Sequence, residues 1–505
     1  MRILPHSRGG ALWRFLLAAV IIISGTAATT AVAGLLQFKQ LASDISLTAP
    51  LKHAAVTVPN PGDPQTILII GSDHRAGEPF TSANTDTMML VRLNGASQTI
   101  NVMSIPRDLQ VHVPGSGQYK LNAAYSLGGP NLLIKTIHAN VFPTLHVNHI
   151  IDVNFGSFEK LVNAIGCVYA DVDHRYYNNT AITNYSSINI QPGYQKLCGA
   201  SALAFVRFRH TDSDLVRNAR QQDFIRWAKD QYGVTNIINN KDRLLRIFGA
   251  NTQTDDNLHT TDGLINLFNL VAFSAGHTIK QIKFPAYQNG ACGGAGLNGA
   301  TVPCYLSATA NAEASVFRAF MRPTNKAAVK KARNPGKSVK NHSNKIQSAG
   351  LSADTADGHA QAKALARAGL PVYYPHLIRT GSNYCSDQTS ICPLEIPSPG
   401  SYPRHYVLRD QKGHPHAAYR MTLEINPVLG QYYGVQGTSW QHPPLLANPT
   451  ETKVVGGKKL MLFAQGGNLV NVAWRTRHGV YWISNTLTSD ISNRQMVDIA
   501  ASLTR

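Results

Sequence analysis

The chain has 505 residues, 43% of them hydrophobic and 15% charged, which fits about two to four folded domains and excludes a disordered chain. A formal charge of +19 points to an anionic partner: nucleic acid, an anionic membrane surface, a lipid phosphate or an acidic wall polymer. Seven of those charges (Lys326, Lys330, Lys331, Arg333, Lys337, Lys340 and Lys345) lie in one acid-free stretch, Thr324 to Gly350, away from any expected site.

The N-terminus sets the compartment. Residues 1–14 carry Arg2, Arg8 and Arg14, and the next 22 residues, Phe15 to Leu36, carry no charge. That length suits a bilayer core, and the preceding arginines put the N-terminus inside, with the rest of the chain outside the cytoplasmic membrane. Ala31-Val-Ala33 keeps a cleaved signal peptide open as the competing reading, but the apolar run is longer than a usual signal core and favours a single-pass anchor. Either way the chain leaves the cytosol, which removes nucleic acid as the usual partner. Six cysteines fall into sequence-local pairs, Cys167 with Cys198, Cys292 with Cys304 and Cys385 with Cys392. An even count without zinc spacing fits disulfides in an oxidising compartment, although six cysteines allow 15 pairings.

Residues 37–64 end in Val58-Pro-Asn-Pro-Gly-Asp-Pro64 and read as a stalk. A first domain is expected over 65–320. The continuous run Ile67-Leu-Ile-Ile70 suits a strand covered on both faces. Met88–Leu93 and Thr99–Met103 read as further strands joined by a turn at Asn94-Gly95. A helix is expected near Asn131–Asn140, a strand over Ile150–Val153 and a helix over Phe155–Ile165. Ile188–Gly193 reads as a turn, and Gly199–Arg209 as a helix delivering arginines to an edge. Asp214 is expected to cap the next helix, which puts Arg217 and Gln221 on one face. Thr278–Phe284 reads as a closing strand. Alternation of this kind predicts an α/β protein, an α/β/α sandwich. Residues 321–369 read as a basic flexible linker. Residues 370–505 read as a smaller β-rich domain, with strands such as Tyr406–Leu408, Ala418–Leu423 and Gly479–Ser484 and a terminal helix, Asn493–Leu503.

Charged groups collect where the apolar runs of the first domain stop. Asp73 and Arg75 follow the first strand, Asp86 opens the second and Arg107 follows the third. Ligands of open α/β sheets bind at such strand ends. Two carboxylates suit Mg²⁺, which takes one or two of them plus phosphate oxygens and water. Arg75, Arg107, Arg207, Arg209 and Arg217 offer planar donors for phosphate, and together they would neutralise a diphosphate during transfer. Any one of these residues taken singly is more often structural. The chain has no P-loop, no Gly-x-Ser-x-Gly elbow and no His-Glu-x-x-His. His74 and His210 flank the candidate site, with a supporting role the plainer reading.

Six motifs occur in order: Ile70-Gly-Ser-Asp-His-Arg75, Thr85-Asp-Thr-Met-Met89, Ser104-Ile-Pro-Arg-Asp108, Lys120-Leu-Asn-Ala-Ala-Tyr125, Val206-Arg-Phe-Arg209 and Asp214-Leu-Val-Arg-Asn-Ala-Arg-Gln-Gln222. In this combination the chain resembles the LytR-CpsA-Psr family over roughly Gln65–Ala275. The resemblance implies a membrane-anchored, Mg²⁺-using phosphotransferase of the bacterial envelope, which moves a glycopolymer from a polyprenyl (di)phosphate carrier onto peptidoglycan. It implies Asp73 and Asp86 as metal acids, and Arg107, Arg207, Arg209 and Arg217 as a diphosphate clamp supported by Lys120 and Gln221. Arg75 and Asp214 match motif positions with less defined roles. Asn84 stands where the family often has an arginine, which removes one positive charge. Gly166-Cys-Val and Leu197-Cys-Gly resemble the disulfide-bearing actinobacterial members. Asp108 and Asp214 are candidates for the base. Arabinogalactan and teichoic-acid-like polymers both stay open as cargo. A polyprenyl pyrophosphatase at the same site, or a non-catalytic envelope protein binding anionic polymer, are the alternatives.

Overall fold

A computed structural model describes residues 50–51, 56–60, 62–73, 85–97, 99–180, 187–209, 212–239, 252–259, 276–289, 305–323, 350–387, 392 and 399–505, and the isolated positions 243, 246–247, 250, 267, 270 and 274. Phe15–Leu36, His74, Arg75, Asn84, His210, Cys292, Cys304 and the basic stretch at 324–349 lie outside the described residues. Among the described residues no helix is long and apolar enough to cross a membrane.

In chain order, β1 (Gln65–Ser72), β2 (Thr85–Leu93) and β3 (Thr99–Ser104) form an antiparallel meander. A hairpin of β4 (Gln110–Val113) and β5 (Gly117–Lys120) leads into α1 (Ala123–Asn140), and β6 (His149–Asn154) then runs parallel to β1. Next come α2 (Phe155–Ala164), β7 (Val168–Val172), β8 (Tyr176–Asn178), β9 (Ile188–Ile190), β10 (Gly193–Leu197), α3 (Gly199–Arg207) and α4 (Asp214–Asn239). The remainder is β11 (Thr252–Thr254), β12 (Thr278–Gln281), the β13 (Tyr287–Asn289) and β14 (Tyr305–Ser307) hairpin, and α5 (Ala310–Met321). The central sheet is mixed, in the order β11-β6-β1-β2-β3-β12.

The continuous apolar run of β1 is buried on both faces. Leu68 and Ile70 pack with Met88, Leu90 and Met103 against Leu133, Ile134 and Ile137 of α1 and Phe320 of α5. Ile67 faces the other way, onto Leu93 and Leu270. The expected α/β sandwich is thus formed around a central mixed sheet. Two elements differ from expectation. The helix expected from Asn131 begins at Ala123 and breaks at Gly128 and Gly129, where Gly129 takes φ 65° and Pro130 restarts it. Ile188–Ile190, expected as a turn, is a strand paired with β8. Its two isoleucines are buried on either side of an exposed Asn189, a period of two too short to read from sequence.

The second domain starts earlier than expected. β15 (Leu351–Ala353) and α6 (Ala356–Ala364) fall in the expected linker, but Leu351, Leu365 and Ala368 belong to the second core. Leu351 sits in a three-residue strand and Leu365 and Ala368 just past a helix with little apolar periodicity, so they left no readable pattern. There follow β16 (Tyr374–Pro375), β17 (Leu377–Arg379), β18 (Asn383–Tyr384), β19 (Arg404–Arg409), β20 (Pro415–Asn426), β21 (Gln431–Thr438), β22 (Glu451–Val455), β23 (Lys458–Gln465), β24 (Asn468–Thr476), β25 (Gly479–Ser484) and α7 (Asn493–Ala501). One antiparallel sheet runs β18-β20-β21-β25-β24-β23-β22, with β19 on the side of β20. Met496 and Ile499 of α7 pack against its Leu469 and Val472, and Ser492 and Gln495 close a capping box at the start of that helix.

A polar lock joins the two domains. Asp171 of β7 meets Arg420 of β20 at 3.2 Å and accepts a hydrogen bond from the Trp482 indole at 2.9 Å. The Thr422 hydroxyl donates to the Asp173 carbonyl at 3.1 Å. Tyr194 and Trp482 are fully buried in a shared core at this seam. Gly193, at φ 111°, lies so close to the Tyr406 hydroxyl that a Cβ would come within 2.6 Å of it. Burial pushes the Asp171 carboxyl up, and Arg420 and Trp482 pull it back.

Candidate active site at the sheet edge

The topology brings the charged residues to one edge. Ser72 pairs with Thr85, so Asp73, just past β1, and Asp86, second in β2, share one end of that hairpin. Because β1, β3 and β6 run in one direction, Arg107 after β3 and Asp152 near the end of β6 reach the same side. Arg207 is the last residue of α3, and Arg217 lies in the first turns of α4.

Local chemistry fixes the two helices. The Cys198 N–H donates to the Ser201 hydroxyl at 3.1 Å at the start of α3. A disulfide from Cys198 to Cys167 ties that start to the end of α2, with Cα atoms 4.6 Å apart. Cys385 and Cys392 are also bonded. The expected capping of α4 by Asp214 is replaced: the Ser213 hydroxyl accepts from the Val216 N–H at 3.3 Å. Asp214 instead accepts from the Arg107 N–H at 3.0 Å and pairs with Arg217. Its carboxylate has gone to the arginines, which leaves the helix end to its neighbour.

Asp86 is the hub. One carboxylate oxygen pairs with the Arg107 guanidinium, the other lies 3.4 Å from Arg207 Nε, and its carbonyl accepts from Arg217 at 2.8 Å. Arg207 also stacks over the Phe155 ring, 3.7 Å from its centroid, which fixes the guanidinium plane. Asp108 forms a second hub, 2.8 Å from Lys120 Nζ and paired with Arg209. Burial pushes the Asp108 carboxyl up, but the Lys120 hydrogen bond and the charges of Arg209, Lys120 and Arg107 outweigh it and hold it below the ordinary range. Asp108 and Asp214, the two candidate bases, therefore both act as counterions to arginine or lysine.

The expected residues separate by exposure. The side chains of Arg107, Arg209 and Arg207 are 20%, 30% and 33% exposed, whereas that of Arg217 is 1% exposed. Gln221 is buried and donates to the Val206 carbonyl at 3.1 Å, bracing α3 beneath its arginines. Asp86, Arg107, Arg207, Arg209, Asp212 and Arg217 line one crevice of about 460 Å³. Asp73 and Lys120 stand outside that lining.

Three supporting residues escaped the sequence reading. Asp152 accepts from Ser72 Oγ at 2.7 Å and from the Tyr125 hydroxyl, joining two motifs beneath the edge. Its signal was a carboxylate inside the apolar run Ile150–Val153. Asp212 pairs with Arg220, which stacks on Tyr176 at 4.5 Å and donates to the Phe205 and Phe208 carbonyls at 3.1 and 2.7 Å. Phe155, the ring under Arg207, carried no signal of its own.

A crevice at the strand ends of a mixed α/β sheet, with partly exposed guanidinium groups around a carboxylate, presents donors of the kind that pair with phosphate or carboxylate oxygens. The chain belongs to the LytR_cpsA_psr family, which it matches over residues 33–311. It is similar to the polyisoprenyl-teichoic acid–peptidoglycan teichoic acid transferase TagU of Oceanobacillus iheyensis, with 34% identity over 38% of this chain and 59% of that protein. It is also similar to the transferase TagT of the same description from Bacillus subtilis, with 31% identity over 41% of this chain and 64% of that protein. The chain thus spans between about half and just under two thirds of the curated relatives it matches. The crystal structure of Bacillus subtilis TagT matches with 22% identity over 54% of this chain and 98% of that one, at a TM-score of 0.39.

Proposed function

We propose that this protein is a phosphotransferase that attaches a glycopolymer from a polyprenyl diphosphate carrier to peptidoglycan at the outer face of the cytoplasmic membrane. The observation that carries the reading is the ring of Arg107, Arg207 and Arg209 facing one crevice at the sheet edge, each partly exposed. TagU and TagT, named as teichoic acid transferases, supply the substrate class. The three guanidinium groups bind the diphosphate oxygens and stabilise the charge that builds on them. Arg217, buried between Asp86 and Asp214, positions the hub and does not face solvent. The peptidoglycan hydroxyl, expected on carbon 6 of N-acetylmuramic acid, attacks the phosphorus nearer the glycan. A new P–O bond forms, the bond to the bridging oxygen breaks, polyprenyl phosphate leaves with that oxygen, and the hydroxyl proton passes to solvent.

Asp73 and Asp86 would hold Mg²⁺. Among the described residues no three His, Cys, Asp or Glu side chains gather as a metal site, so the protein would supply carboxylates and the substrate its phosphate oxygens, the division Mg²⁺ prefers. The donor set fits: two hard carboxylates at adjoining strand ends, with the buried Thr85 hydroxyl beside them lacking a hydrogen-bond partner. When bound, the ion would neutralise charge on the diphosphate.

Purified Asp73→Ala is expected to lose Mg²⁺-dependent release of polyprenyl phosphate and to show weaker Mg²⁺ binding by calorimetry. Unchanged values in both would refute the metal assignment. Running the release assay with and without acceptor glycan separates the transferase from a pyrophosphatase, because a pyrophosphatase needs only water.

A further inference from the structure

On the other side of α4 from the arginines lies a second crevice, of about 280 Å³, walled by both domains. Leu215, Asn218, Ala219 and Gln222 of α4 line it. By the 3.6-residue period these four form a single stripe, opposite the stripe that carries Arg217 and Gln221. The far wall comes from the turn between β23 and β24 and from the loop after β25, through Gly466, Asn468 and Thr488. The turn touches the first domain: a Cβ on Gly466 would stand 3.2 Å from the Gln281 carbonyl.

The chemistry of this crevice is the reverse of the first. Its polar groups are neutral amides and hydroxyls, with Lys283 the one charge among the described lining residues. Gln222 donates one amide N–H to Ser104 Oγ and Gln281 donates one to Asp223, each at 2.9 Å, and their amide oxygens stand beside the crevice as acceptors. Asn218 is 6% exposed, and its amide nitrogen is buried without a hydrogen-bond partner. A buried donor without a partner is unfavourable, and a ligand carbonyl would relieve it. One wall thus presents a donor and acceptors within two helical turns, complementary to a group that carries both C=O and N–H. Leu215 and Ala219 add apolar surface for the faces of a ring. The volume is just below the ~300–1,000 Å³ of drug-sized ligand sites, the scale of a single-ring ligand.

We infer that this interdomain crevice is a subsite for an N-acetylated sugar ring, with the acetamido group placed against Asn218 and Gln222. That the ring belongs to a glycan substrate rests on the transferase reading; the sugar site itself does not. Its position gives the β-rich domain a role in holding glycan while the first domain holds phosphate.

The test uses the full chain with three probes: N,N′-diacetylchitobiose, cellobiose, which lacks the acetamido groups, and farnesyl diphosphate. Calorimetry and saturation-transfer NMR are expected to show binding of diacetylchitobiose at least tenfold stronger than cellobiose. Asn218→Ala and Asn468→Ala are each expected to weaken diacetylchitobiose at least tenfold while farnesyl diphosphate binds as before. Asn468 is exposed at the start of β24, so its variant stays folded if Asn218→Ala does not. No binding of diacetylchitobiose, equal binding of cellobiose, or unchanged affinity in Asn468→Ala overturns the inference. Sugar binding without any farnesyl diphosphate binding leaves the sugar site standing and removes the transferase reading instead.

Discussion

Asp86 and Asp171 each face an arginine, Arg107 in the crevice and Arg420 at the domain seam, yet the two pairs have opposite fates. At the seam, Arg420 is fully buried, and Asp171 is completed by Trp482 and Asn471 from the same second domain. In the crevice, Asp86 is shared by two arginines that keep part of their surface in water, and more cations than carboxylates surround it. An aspartate–arginine pair is therefore neither a site nor a strut by composition. A saturated and sealed pair fixes geometry, whereas cations in excess and in reach of solvent have donors left for a ligand.

Breaking the seam is expected to have the largest effect. Arg420→Ala leaves Asp171 buried without its counterion, and chemical denaturation is expected to show a loss of about 3–5 kcal/mol. The double variant Asp171→Leu/Arg420→Met is expected to recover most of it, since the pair must also offset its own desolvation. If the single variant is as stable as the parent, the lock does not hold the domains.

Opening the other pair should act on turnover and spare stability. Arg207→Ala or Arg107→Ala is expected to lower kcat for polyprenyl phosphate release about 10²–10³-fold, as for loss of one preorganised donor, with little change in melting temperature. A melting shift as large as that of Arg420→Ala would place Arg107 and Arg207 with the struts.

Between these extremes lies the disulfide that anchors α3. Cys167→Ser/Cys198→Ser is expected to cost about 2–4 kcal/mol and to reduce activity, because the helix it tethers ends in Arg207. Loss of stability with full activity would show that the helix keeps its place without the bond.

The smallest effect concerns pH. The folded-state pKa of Asp108 lies below its ordinary 3.8, so its contribution to stability is complete above that value and is lost as pH falls through the lowered one. Lys120→Met removes one of the groups that hold it down, and NMR titration of the carboxyl is expected to show its midpoint moving up towards 3.8.

Much of the first domain could be read before any coordinates. A continuous apolar run marked β1, and the charges at strand ends marked the edge where Asp86, Arg107, Arg207 and Arg217 meet. Local pairing was also legible for Cys167–Cys198 and Cys385–Cys392, whereas Cys292 and Cys304 lie outside the described residues. What escaped depends on distance in sequence. Asp171 finds Arg420 across 249 residues, and no local pattern announces such a partner. Asp214 looked like a cap because capping is local, but Arg107 and Arg217 outbid the helix end for its oxygens. Exposure, which separates Arg217 from Arg107, is a property of packing and leaves no trace in spacing.

The seam between β7 and β20 also changes what the basic stretch at 324–349 means for the chain. Two bodies held by Asp171, Arg420, Trp482 and a shared aromatic core do not depend on the covalent connection for their association. A protease cut among the lysines of that stretch would yield two fragments that travel together through gel filtration and separate only in denaturant. By the same logic, a chain ended at 323 would carry Tyr169, Tyr194 and an uncompensated Asp171 on its surface, a recipe for insolubility.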